Sequence, residues 1–228
     1  MRSFPNLATF APVQSKIIKY WTNIATILSG IYISLALLAP VLMASGLHKP
    51  GNLLYQIFSA VCHQNSSKSW FFSINLKTSS LTIFPSLEAA LPPSVAPCVE
   101  CSAFLGAPEF GWKTALCHRC TGIYLGVFGA SLIFNHLKHK RLRIPKLTTY
   151  LYLFIGLLPI IINTMMPTDA TNAFNTFAIP NSHIISTVTG FLFGSLSIWY
   201  AYPQIDSHAE KYIYKLSQQR LSKGNNQQ

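Results

Sequence analysis

The stretch Cys117-His118-Arg119-Cys120-Thr121-Gly122-Ile123-Tyr124-Leu125-Gly126 decides how the chain is read. A Cys-x-x-Cys pair with a histidine and an arginine inside it runs directly into a glycine-spaced apolar segment. Two cysteines one helical turn apart can hold a metal ion or close a reversible disulfide. Gly122, Gly126 and Gly129 behind them allow a neighbouring helix to approach closely. Chemistry and membrane packing therefore meet within a dozen residues.

Outward from this stretch the composition is that of a membrane protein. Charged residues make up 10% of the 228 and hydrophobic ones 50%, with a mean hydropathy of +0.33; a soluble domain carries roughly 25% charge. The net charge of +11 raises the question of nucleic acid, but no basic face interleaved with stacking aromatics is present, and nucleic-acid binding is set aside. Ile24 to Met43 is a run of 20 residues without a charge, enough for a helix of about 30 Å, the thickness of the hydrocarbon core. Its length and the poor Leu42-Met43-Ala44 cleavage site argue for a retained span over a signal peptide. Further spans are expected at Cys120–Phe134, Leu147–Met165, with Pro159 as a kink and Asn163 near its end, and Ile184–Tyr200, anchored by Trp199-Tyr200.

The expected fold is an all-α membrane protein of about four transmembrane helices. Residues 1–23 form an N-terminal segment, 24–200 the membrane domain and 201–228 an amphipathic tail. Between the first two spans lies a cysteine-bearing outer loop, 44–119. Leu53, Leu54, Ile57, Phe58 and Val61 there repeat as a short amphipathic helix that delivers Cys62-His63-Gln64. Twelve of the 17 Lys and Arg residues fall in the N-terminal segment, the 136–146 loop and the tail. The positive-inside rule then places both termini in the cytoplasm and every cysteine outside, in a multi-pass protein of a bacterial cytoplasmic (inner) membrane. The excess charge is mostly this topology signal, with some attraction to anionic lipid of the bilayer.

All five cysteines lie between Cys62 and Cys120, which marks one site. Cys98-x-x-Cys101 and Cys117-x-x-Cys120 are 15 residues apart, a spacing that suits four thiolates around zinc, and Cys62, His63 and His118 are further ligands within reach. The outer location favours oxidation of thiols and so weighs against this reading. The same residues support a redox reading. Four spans with an outer Cys-x-x-Cys resemble the layout of quinone-linked disulfide-forming membrane oxidoreductases, with Cys117 as the thiolate and Cys98 and Cys101 as a shuttle pair. A third reading has two disulfides stapling the loop. Metal leads, redox follows and the staple comes third. Arg119 is either a lipid-phosphate anchor or a residue that tunes the site. Gln64, Lys68, Tyr124, Asp169 and His183 read as ordinary interface and loop residues. Thr121-Gly122 with Gly126 is echoed by Thr189-Gly190 with Gly194, which reads as helix–helix packing. Without a paired-carboxylate, nucleophile or phosphate-loop motif, the sequence assigns no reaction.

Cys62-His63-Gln64, Lys68-Ser69-Trp70 and Cys117-His118-Arg119-Cys120-Thr121-Gly122-Ile123-Tyr124-Leu125-Gly126 together resemble domain-of-unknown-function family 2085 of predicted membrane proteins. The resemblance runs from about Tyr55 to Gly194, with Met166-Pro167-Thr168-Asp169 and Thr189-Gly190 as weaker later matches. Lys68 and Ser186 stand where that family has arginine, and the insertion carrying Cys98 and Cys101 is long. The resemblance implies a shared site of Cys62, His63, Cys117, Arg119 and Cys120, with the Cys98 pair as an elaboration, and it implies no particular reaction.

Overall fold

The computed structural model describes residues 7–75, 80–91, 103–140, 142, 144, 146–165 and 182–225. Helix α1 (Leu7–Ala44) leads into the short α2 (His48–Ser59). Two strands follow, β1 (Ser69–Asn75) and β2 (Ser80–Phe84), then a single helical turn, α3 (Leu87–Ala90). Strands β3 (Gly106–Ala107) and β4 (Gly111–Cys117) run straight into α4 (His118–His139). The remainder is α5 (Thr149–Leu151), a π-helical segment over Tyr152–Leu157, α6 (Leu158–Met165) and the long α7 (Ser182–Asn225).

Among the described residues three helices are long and apolar enough to cross a bilayer: Tyr20–Ala44, His118–His139 and His183–Ala209. Their outward faces stay apolar, with Ile27 and Leu28 each 60% exposed; so much apolar surface suits hydrocarbon and would be costly in water. The expected span at 147–165 is instead a shorter apolar helix, Thr149–Ile162. Pro159 has no N–H to donate and its ring crowds the carbonyl one turn back, and the π-helical turn stands immediately before it.

The all-α expectation is corrected by a four-stranded antiparallel sheet of order β2-β1-β4-β3. Its strands are the aromatic and β-branched runs Ser69–Asn75, Ser80–Phe84 and Gly111–Cys117, residue types that fit a pleated surface. The central strand β4 is buried from Gly111 to Leu116. It packs among Ile33, Ala36, Ala39 and Met43 of α1 and Tyr55 and Phe58 of α2. The sheet thus caps one end of the helices, and β4 hands the chain directly to α4.

Within the helix bundle, α1 is antiparallel to α4. Asn135 Nδ2 donates to Thr26 Oγ1 at 2.7 Å near one end, and the Tyr32 and Tyr124 rings meet at 4.3 Å near the other. Helices α4 and α7 are parallel. Gly122 and Gly126 press on the backbone at Thr187 and Phe191, and Gly190 and Gly194 press back on Arg119 and Ile123. A Cβ at any of the four would collide with main chain, so the paired Thr-Gly motifs serve as a reciprocal close contact inside one chain. Gly129 faces open space and takes no part.

Candidate thiolate centre

The sheet, α2 and the start of α4 bring Cys62, Cys117 and Cys120 together. Their sulfur atoms all lie within 4.8 Å of one another, and they are the one such ligand group among the described residues. All three are free thiols. Cys117 is the N-cap of α4 and Cys120 lies in its first turn, so both project from one helical face. Cys62 arrives from the end of α2, anchored by buried Tyr55 and Phe58. The Tyr55 hydroxyl donates to the Lys113 carbonyl and so pins α2 to β4.

Cys62-His63-Gln64 folds back on itself because Gln64 takes a left-handed backbone conformation (φ 50°), which a non-glycine residue adopts at a cost. Surrounding bonds hold it there. The Gln64 side chain is buried and donates from Nε2 to the Tyr55 carbonyl at 2.8 Å, while its own carbonyl accepts from Lys113 Nζ at 2.7 Å. In this turn the Gln64 N–H reaches the Cys62 sulfur. The Cys117 N–H donates to the same sulfur at 3.3 Å.

These donors decide where negative charge sits. Cys62 is held far below the ordinary thiol range by S–H donation from Cys117 and Cys120, joined by the two backbone N–H groups, which together outweigh burial. For Cys117, the bond from Cys120 pulls down. Donation to Cys62, burial and repulsion from the Cys62 charge push up, and the net shift is upward. The sequence reading has Cys117 as the thiolate; the donors here favour negative charge on Cys62, to which Cys117 donates. Lys113, fully buried in β4, lies near enough to feel that charge. Burial lowers its pKa to about 8, and the Cys62 charge partly opposes the shift. The arrangement is three free cysteines whose donors favour negative charge on Cys62, next to the buried Lys113.

Other expected members go elsewhere. His63 is exposed and outside the sulfur group. The His118 ring points away from the sulfurs and packs against Trp70 and His183, at centroid distances of 4.9 and 5.8 Å. Position 118 is turned about 100° from 117 on a helix, so the ring cannot share the sulfurs' face. Arg119 is half-buried, its carbonyl against Gly190. Cys98, Cys101 and Asp169 lie outside the described residues. Sequence reasoning passed over Lys113 and the structural part of Gln64; an isolated lysine inside Trp112–Cys117 was the available signal.

No solved structure matches the chain. It is similar to the uncharacterised protein MJ1492 of Methanocaldococcus jannaschii, 25% identical over 151 residues, which is 66% of this chain and 67% of that protein. Residues 109–200 match the family described as "Predicted membrane protein (DUF2085)". That segment begins just before β4 and runs through α4 into α7, so it contains Cys117 and Cys120, while Cys62 reaches them from outside it. The resemblance drawn from the Cys117–Gly126 motif and the match over residues 109–200 thus point to the same family, "Predicted membrane protein (DUF2085)".

Proposed function

We propose that this membrane protein holds a thiolate-bound metal ion, zinc above all, at Cys62, Cys117 and Cys120, on the outer face of the cytoplasmic membrane. The observation that carries the proposal is the convergence of three sulfurs from two distant parts of the chain within 4.8 Å. Thiolate sulfur suits zinc and other soft or borderline ions. The N–H donors on Cys62 and the cation at Lys113 offset the anionic charge that three thiolates around a divalent ion would leave. Four membrane crossings, with both termini and the 136–146 loop cytoplasmic, agree with the parallel packing of α4 and α7: the chain between two parallel helices has to return across the same thickness. The 17 residues from Thr149 to Met165 would reach about 26 Å as a helix.

A second reading, thiol–disulfide exchange coupled to a quinone, has its own support. A thiolate at Cys62 within reach of two further thiols is the arrangement that exchange needs. One measurement separates the two. Protein purified anaerobically in detergent is assayed for metal and for free thiols, then zinc is added back to stripped protein in weak buffer at neutral pH. The metal reading expects about one zinc per chain and release of protons on binding, as thiols become thiolates. Metal-free protein with a reducible disulfide among the three cysteines would overturn it in favour of exchange.

A further inference from the structure

We propose that His118 and His183 form a second cation site, separate from the sulfur cluster, that takes a transition-metal ion through imidazole nitrogen. His118 is 3% exposed, and its Nε2 has no hydrogen-bond partner. A buried ring nitrogen without a partner is costly, so such an atom points to a ligand. Backbone at Pro85 and Ser69 bonds to the ring, and since Nε2 has no partner these contacts fall to the other nitrogen. Proline has no N–H, so the Pro85 contact is to its carbonyl, and the nitrogen facing it carries the proton. Nε2 is thereby left as a bare lone pair, the form in which a histidine binds metal, with its tautomer fixed from behind by a carbonyl.

The second imidazole belongs to His183, in the first turn of α7, half-exposed and 5.8 Å from His118 between ring centroids. Trp70 of β1 meets both rings edge-on, at 4.9 and 5.7 Å. The parallel packing of α4 and α7, set by the four glycines, places the two histidines within about one helical turn of each other. Three elements thus bring two imidazoles and Trp70 together beside a ring that carries one unpartnered nitrogen. With two protein ligands at hand among the described residues, the site would bind more weakly than three thiolates and would keep coordination positions open for water or a small ligand.

The test uses full-length protein without a histidine tag, purified anaerobically in detergent, stripped of metal and titrated with Co2+. Ions bound by sulfur give an intense near-ultraviolet charge-transfer band; ions bound by imidazole alone do not. The expected result for the parent protein is an equivalent of Co2+ that adds no such band. In His183→Gln that equivalent weakens at least tenfold while the sulfur-linked band is unchanged, which also shows that the variant is folded. A band-free equivalent retained in His183→Gln, or none in the parent protein, overturns the proposal. Should His183→Gln not fold, X-ray absorption at the cobalt edge of the loaded parent protein decides: imidazole scattering supports the site and its absence overturns it. If the thiolates bind nothing, no charge-transfer band forms at all, and the histidine site is still read by its band-free equivalent.

Discussion

The two ends of α4 each set a lysine against a negative charge, and they do so in opposite ways. At the far end Lys138 pairs with Asp206 of α7, to which Trp21 of α1 also donates through Nε1 at 3.3 Å. Both partners keep contact with solvent, at 33% and 19% exposure. At the near end Lys113 is fully buried, bonds to the Gln64 carbonyl and sits beside the charge on Cys62. An exposed ion pair costs little to form and contributes little. A fully buried lysine carries a large desolvation cost, and here it lies beside sulfurs that would become more anionic on binding the proposed ion. The first arrangement fastens three helices together, and the second conditions a site.

The largest effect that would break this contrast is at Cys62. Cys62→Ser takes away the sulfur on which the other two converge, and stoichiometric zinc binding should be lost, with the metal content of purified protein as the readout. Undiminished zinc in that variant would mean that the near end is not a metal centre. Lys113→Met should act more mildly, lowering zinc affinity on the order of 10- to 100-fold, as removal of an outer-shell partner does. It carries a pH signature too. Burial lowers the Lys113 pKa to about 8, so between about pH 8 and the usual lysine value the unfolded chain binds the extra proton. Metal-free protein therefore gains stability from this group as pH rises through that window. Thermal denaturation of the methionine variant across the window should show a flatter rise.

The two ends also differ in how far they could be read from the sequence. The spans were legible because a charge-free run such as Ile24–Met43 has few alternatives once its length matches the bilayer. The closeness of Cys117 and Cys120 in the first turn of α4 was legible from their spacing. The sheet was not, since β1 and β2 are short aromatic runs inside a segment rich in serine and proline, and Lys113 in the middle of β4 reads as a solvent-facing residue. Burying that lysine depends on Gln64 and Cys62, some 50 residues earlier, and no local pattern announces such a partnership. The split between the sulfurs and His118 was available in principle: positions 117 and 120 share a helical face and 118 does not. Spacing alone favoured one pooled ligand set, and only the placement of Trp70 and His183 shows what the other face meets.

The smallest expected effect is at the far end. Asp206→Asn removes the charge that Lys138 faces but keeps an oxygen able to accept from Trp21. For partly exposed groups the loss should be about 1 kcal/mol or less. Part of the stabilisation is Coulombic and screened by salt, so the difference from the parent protein should shrink as ionic strength rises. Zinc content and Co2+ titration should be unaltered, because the substitution lies a full membrane thickness away, about 33 Å along the 22 residues of α4. Melting temperatures in detergent at low and high salt, measured beside metal content, check both points. A change in metal binding would mean that α4 moves as a lever between its two ends. A melting shift alone would leave Asp206 as a fastening and the near end as the only one with chemistry.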